Sequence, residues 1–232
     1  MKYTAIVLAA GKGKRMNSSV QKQFIELNGY PLIYYALCTF EKSMVDEIIL
    51  VTGKDEAEYC RREIVERYQF QKVRKIVHGG AERYLSVYEG LCAINNTDVV
   101  LIHDGARPFV TEDIIERTID AAVKYGSGIA AVPSKDTVKI VDENHFAVQT
   151  PSRDCVWMMQ TPQTFRYQDI RQAYEKVLER QIQNITDDAM VLELALQKPV
   201  KIVEGSYFNL KVTTPEDLLI ASTFVKNGSD NP

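Results

Sequence analysis

Cations, hydroxyls and glycines recur together in short segments of this chain, a combination suited to holding phosphate. The first is Ala9-Ala10-Gly11-Lys12-Gly13-Lys14-Arg15-Met16, followed by Lys22. Glycines at a strand end let the backbone approach a ligand, and successive N–H groups can cradle phosphate oxygens. Arg15 and Lys22 then stand as two fixed cations beside an anion. Two familiar templates fail: Met16 occupies the third glycine position of GxGxxG, and no GxxxxGK[ST] is present. Further along, His103-Asp104-Gly105-Ala106-Arg107-Pro108 closes an apolar run, where open α/β sheets bind ligands. Arg107 offers a planar fork to phosphate or carboxylate, and a structural ion pair with Asp104 is the alternative.

Positioning these groups requires a sheet, and the chain is patterned for one. Thr4 to Ala10, Glu47 to Thr52, Lys75 to Val77, Asp98 to His103 and Gly128 to Val132 read as strands. Between them lie helices with apolar faces at Leu32/Ala36/Phe40, at Leu85/Tyr88/Leu91/Cys92 and at Ile115/Ile119/Ala122. Thr111 is placed as an N-cap, with Glu112 and Asp113 favouring the helix dipole. The alternation predicts an α/β fold: a Rossmann-like open, mostly parallel sheet covered by helices on both faces. Lys135 to Gln149 breaks the rhythm as two short strands around Asp142-Glu143-Asn144. It predicts a protruding β-hairpin arm over 135–154 within a single domain spanning 1–232. The open edges of such an arm invite pairing with a second copy, and an ordinary flap on its own subunit is the alternative.

The 232 residues, 45% hydrophobic and 25% charged, suffice for a real core. A net charge of −3 gives no bulk reason to bind nucleic acid or an anionic membrane. No apolar run reaches about 18 residues and no signal-peptide pattern opens the chain, so a cytoplasmic protein is expected. Cys38, Cys60, Cys92 and Cys155 are far apart and read as reduced, mostly structural thiols. His78, His103 and His145 are scattered, which argues against a histidine metal site; His103 is expected to pack or hydrogen-bond.

The LAAGxGxRM strand end followed by Lys22 in Gln21-Lys22-Gln23 resembles the nucleotidyltransferases that activate sugars, with Gln21 where proline is common. Other segments are similar to one branch, the 2-C-methyl-D-erythritol 4-phosphate cytidylyltransferases, over Tyr3 to about Leu219. His78-Gly79-Gly80-Ala81-Glu82-Arg83 with Ser86 resembles the segment that reads the base, Ala81 standing where an acid is usual. The resemblance implies that Ala9, Ala10, Gly11, Gly13, Arg15, Lys22, Gly80, Ala81 and Ser86 bind CTP. It implies that Asp104 meets the sugar's hydroxyls or the metal's surroundings and that Arg107 helps bind the sugar's phosphate. Thr137 and Arg153 would recognise that phosphate from an arm contributed across a homodimer. Thr161 of Gln160-Thr161-Pro162-Gln163-Thr164-Phe165 is expected near the site. Thr186 of Ile185-Thr186-Asp187-Asp188-Ala189 would either touch the sugar or simply cap a helix. Lys211, just before the helix start Thr214-Pro215-Glu216-Asp217, would orient the incoming phosphate.

The implied reaction is in-line attack of a polyol phosphate on the α-phosphorus of CTP, with Arg15, Lys22, Arg153 and Lys211 as the catalytic cations. A phosphate monoester is already anionic at pH 7, so no general base is needed. Mg²⁺ or another divalent cation would be bound mainly through the CTP phosphates rather than by protein ligands. A ribitol 5-phosphate cytidylyltransferase is the nearest alternative, although its sister group tends toward LAGG and HDSxRP at the two strand ends. A nucleotide-sensing module without catalysis is the alternative of another class.

Overall fold

In the computed structural model, residues 1–11 and 21–227 are described. Strand β1 (Tyr3–Ala9) forms because a nearly unbroken apolar run can be buried on both faces of a sheet. The chain continues through the small hairpin β2 (Glu26–Leu27) and β3 (Tyr30–Pro31) to α1 (Leu32–Lys42), β4 (Glu47–Thr52) and α2 (Ala57–Tyr59). A π-helical stretch, Cys60–Glu66, extends α2 toward β5 (Val73–His78), α3 (Arg83–Ala93) and β6 (Val99–Asp104). Then come α4 (Glu112–Tyr125), β7 (Ser127–Pro133), the arm strands β8 (Ile140–Val141) and β9 (Ala147–Gln149), and β10 (Trp157–Arg166). Helices α5 (Tyr167–Glu179) and α6 (Asp188–Leu196), strand β11 (Ile202–Glu204) and α7 (Pro215–Asn227) complete the described chain.

The main sheet has the order β11-β7-β10-β6-β1-β4-β5. Pairing is parallel throughout except at β10, which runs antiparallel to both β6 and β7. Pro162 sits inside β10 where the register shifts between Met159 and Gln163, so the missing N–H interrupts no regular ladder. Side-chain alternation divides the core between the two faces. Ala5, Val7, Ile48 and Leu50 join Ile33, Leu37, Phe40, Ile64 and Ile115 on one side. Ile6, Ile49, Val51 and Ile102 join Val87, Leu91, Tyr174 and Val177 on the other.

Local signals at helix ends are realised. Thr111 accepts the Ile114 N–H at 3.3 Å, and Gly126 ends α4 with φ of 94°. At α7, Asp217 N–H donates to Thr214 Oγ1, while Asp217 Oδ2 accepts from the Thr213 and Thr214 amides. The predicted buried face of α3 needs correction. Ser86, Val87, Gly90 and Leu91 are buried and Cys92 is exposed. Gly90 explains the rotation: a Cβ there would lie 2.7 Å from Ile6 Cγ2, so the helix packs against the sheet through its glycine. All four cysteines are free, but only Cys60 is buried, so the expectation of mostly structural thiols does not hold for the exposed Cys92 and Cys155.

The arm is a two-stranded ladder shorter than its predicted span, pairing Ile140 with Gln149 and Val141 with Ala147. Its turn runs from Asp142 to Phe146, with Asp142 Oδ1 accepting the Asn144 and Phe146 amides. Ile140, Val141, Phe146 and Val148 are all exposed on it.

Candidate active site at the switch point of the sheet

Strand β1 has β4 on one side and β6 on the other, so the chain reverses its direction of sheet growth between β1 and β6. Crevices at the carboxyl ends of strands at such a point are where open α/β sheets bind ligands. A cavity of about 540 Å³ lies there, lined by Ala10 and Gly11 after β1 and by Asp104 and Ala106 at the end of β6. Lys22, Gly80, Ala81, Arg83, Ser86 and Lys211 complete much of its wall. Gly13 and Arg15 lie outside the described residues. Ala9 is turned into the core instead, and its carbonyl accepts from Gln23 Nε2 at 2.5 Å. That bond fastens the turn bearing Lys22 to the end of β1.

The loop before α3 is seated by packing. A Cβ on Gly79 would lie 2.6 Å from Ala10 Cβ and 2.7 Å from Ser86 Oγ, so the glycine lets this loop close onto β1. Ser86 is buried in the cavity wall and donates to the Glu82 carbonyl at 3.0 Å.

Charge in the cavity is organised by a residue to which the sequence alone assigned no role. Arg83 donates through Nε to Asp104 at 3.1 Å and through both terminal nitrogens to Asp188 at 3.0 and 2.8 Å. Lys211 Nζ takes the other Asp104 oxygen at 2.7 Å. Burial alone would raise the Asp104 carboxyl; Arg83, then Lys211 and Arg107, outweigh it and hold it well below the usual carboxylate range. Burial would likewise lower Arg83, and Asp188 with Asp104 reverse the direction. Asp188, fully buried, also accepts the Tyr174 hydroxyl at 2.6 Å. Gln163 Oε1 accepts the Asp188 and Ala189 amides, each at 2.9 Å. The signal for Arg83 in the sequence was its place between two glycines and a serine on a helix start; its carboxylate partners are distant along the chain.

A second cavity, of about 260 Å³, adjoins these groups and is lined by Arg107, Thr161, Thr186, Asp104 and Lys211 among others. Arg107 does not pair with Asp104. Its guanidinium donates to the Asn209 carbonyl at 2.7 Å and the Met159 carbonyl at 3.4 Å, and burial lowers its pKa. Thr161 Oγ1 accepts the Asp104 amide at 3.1 Å and lies 3.1 Å from His103 Nδ1. Its proton therefore points to His103, whose Nε2–H faces the Arg107 carbonyl at 3.2 Å. Complete burial pushes His103 down to about 4, so it is a neutral strut, as its packing role requires. Thr186 is not the cap of α6: Asp187 accepts the Met190 amide at 2.9 Å and fills that position. Thr186 is thereby left to line the cavity.

Thr137 and Arg153 are exposed and line neither cavity. Arg153 reaches only the Lys135 carbonyl, at 3.4 Å, among the bonds described. Of the four predicted catalytic cations, Lys22 and Lys211 face the larger cavity, Arg153 stands on the arm, and Arg15 is outside the described residues.

A cavity lined by Lys22 and Lys211 at the switch point of a doubly wound sheet is where an α/β protein of this kind takes an anionic ligand such as a nucleotide. The family model for 2-C-methyl-D-erythritol 4-phosphate cytidylyltransferase (IspD) matches residues 3–227. A protein of that name from Lachnoclostridium phytofermentans is 47% identical over 229 residues, 99% of this chain and 98% of the relative. One from Clostridium perfringens strain SM101 is 50% identical over 226 residues, 97% of this chain and 99% of the relative. The crystal structure of 4-diphosphocytidyl-2C-methyl-D-erythritol synthase from Anaerococcus prevotii superposes with a TM-score of 0.86 at 39% identity, covering 97% of this chain and 96% of that one. The chain belongs to the 2-C-methyl-D-erythritol 4-phosphate cytidylyltransferase family.

Proposed function

We propose that the two adjoining cavities hold the two substrates of the family's reaction, CTP in the larger and the polyol phosphate in the smaller. The enzyme joins CTP and 2-C-methyl-D-erythritol 4-phosphate to give 4-diphosphocytidyl-2-C-methyl-D-erythritol and pyrophosphate, a step in isoprenoid precursor synthesis. An oxygen of the methylerythritol phosphate bonds to the α-phosphorus of CTP as the bond from that phosphorus to the α,β-bridging oxygen breaks. The observation that carries the assignment is Lys211, which lines both cavities and so stands between nucleophile and triphosphate.

Lys22, together with Arg15, stabilises charge on the α-phosphate and on the leaving pyrophosphate. Gly80, Ala81 and Ser86 face the base, and Ala10, Gly11 and Gly13 the phosphates. Thr186 and Asp104 hold the polyol, while Thr161 and Arg107 fix the walls around it. Asp104 and Glu82 are the carboxylates on the larger cavity, and Asp104 is engaged by Arg83 and Lys211. That donor set fits a divalent cation such as Mg²⁺ carried in on the triphosphate, where it neutralises phosphate charge. The arm docks on a second copy, its exposed Phe146 and Val148 covered there, and delivers Thr137 and Arg153 to the partner's substrate phosphate. Among the described residues no helix is long and apolar enough to cross a membrane, and free thiols fit a reducing cytoplasm.

The test supplies CTP, Mg²⁺ and one polyol phosphate at a time and follows pyrophosphate. Turnover is expected with methylerythritol phosphate. Turnover with ribitol 5-phosphate alone would overturn the acceptor assignment, and CTP binding without pyrophosphate release would indicate a sensor.

A further inference from the structure

Lys211 belongs to neither a helix nor a strand. It lies in the connection between β11 and α7, where a side chain is ordinarily mobile. Yet its ammonium is held 2.7 Å from Asp104, facing both cavities. What holds it is a pair of buried anchors on either side. Val212 is fully buried, and its amide donates to the Ala106 carbonyl at 2.8 Å. Asn209 is also fully buried, and its carbonyl accepts from Arg107 at 2.7 Å. The end of β6 thus supplies Asp104 for the ammonium, and the turn after it supplies Ala106 for Val212 and Arg107 for Asn209.

The Asn209 side chain fastens the same segment to β10. Its Nδ2 donates to the Thr161 carbonyl at 2.9 Å and to Gln160 Oε1 at 3.3 Å. Gln160 in turn donates to the Ser206 carbonyl at 2.7 Å and accepts the Ser206 amide at 3.3 Å. Asn209 Oδ1, by contrast, is buried without a partner among the described residues. A buried unmet acceptor costs desolvation, and that cost is offset at the donor end of the same amide, which satisfies the Thr161 carbonyl and Gln160 Oε1. The amide earns its place through the two Nδ2 bonds.

We propose that Asn209, clamped by Gln160, is a positioning residue that sets the Lys211 ammonium against the transferring phosphate. The inference rests on the reading that Lys211 acts on substrate. Misplacing a group by about 1 Å can cost on the order of 100-fold in rate. Asn209→Leu and Gln160→Met are therefore expected to lower kcat roughly 10–100-fold with little change in KM for CTP. In a Lys211→Ala background neither should lower kcat further, because the group they aim is gone. The same fold-loss in both backgrounds would overturn the proposal, as would loss of the cooperative thermal transition in both variants, which would assign the residues to the fold alone. Lys211→Ala with unimpaired kcat would instead defeat the underlying reading of Lys211, an outcome visible before either second substitution is made.

Discussion

Acidification should weaken this protein through His103 in a way that a single substitution removes. The ring is fully buried between Thr161 and the Arg107 carbonyl, with Phe40 edge-on at 5.1 Å. Its folded pKa is about 4, against an unfolded value of about 6.5. The unfolded chain therefore binds the proton first, and stability present above pH 6.5 is lost as pH falls toward 4. Two and a half pH units at 1.36 kcal/mol each set the limit at about 3 kcal/mol, of which about 2 kcal/mol is gone by pH 5. The assay is urea unfolding of the wild type and of His103→Gln at pH 7.5, 6 and 5. Every other titrating group is common to both, so the stability difference isolates this ring. The wild type should lose about 2 kcal/mol more than the variant between pH 7.5 and 5. Parallel pH profiles would refute the desolvated strut whose proton affinity is lowered by burial.

Three other outcomes are expected. Removing the Lys22 ammonium in Lys22→Ala should reduce kcat by roughly 10²–10³, as for losing one preorganised electrostatic donor, and near-normal turnover would end its assigned role. Arg83→Met leaves the fully buried Asp188 without its counter-ion and should cost about 3 kcal/mol in urea unfolding; an unchanged midpoint would show that Asp188 does not depend on Arg83. Deleting the arm from Lys135 to Arg153 should lower the sedimenting mass to that of one chain, and an unchanged mass would refute the arm as the dimer contact.

The recurring cations were legible because phosphate chemistry needs residue types that stand out beside glycines, as at Gly11 and Lys22. Their convergence was legible only in part. Lys22 and Lys211 meet at the cavity, whereas Arg153 on the exposed arm reaches no cavity within one chain. Arg107 shows the limit of reading residue type alone: it lines the smaller cavity, yet one arm of its fork also holds the Asn209 carbonyl of the Lys211 segment, a bond no residue pattern announces. At Thr186 the sequence left two readings, sugar contact or helix cap, and the chain's path gave the cap to Asp187, whose oxygen is equally suited to it.

By itself the sequence determined what a local window can encode. Unbroken apolar runs placed β1, β4 and β6, apolar faces of period 3.6 placed α1 and α4, and side chains a few residues apart closed the caps at Thr111 and Thr214. Only the tertiary structure decided that β10 runs antiparallel between β6 and β7 and that Arg83 finds Asp188, 105 positions away. The physical reason is desolvation. A strand's neighbours and a buried charge's partner are selected by which groups leave water together, and that is settled when distant segments pack.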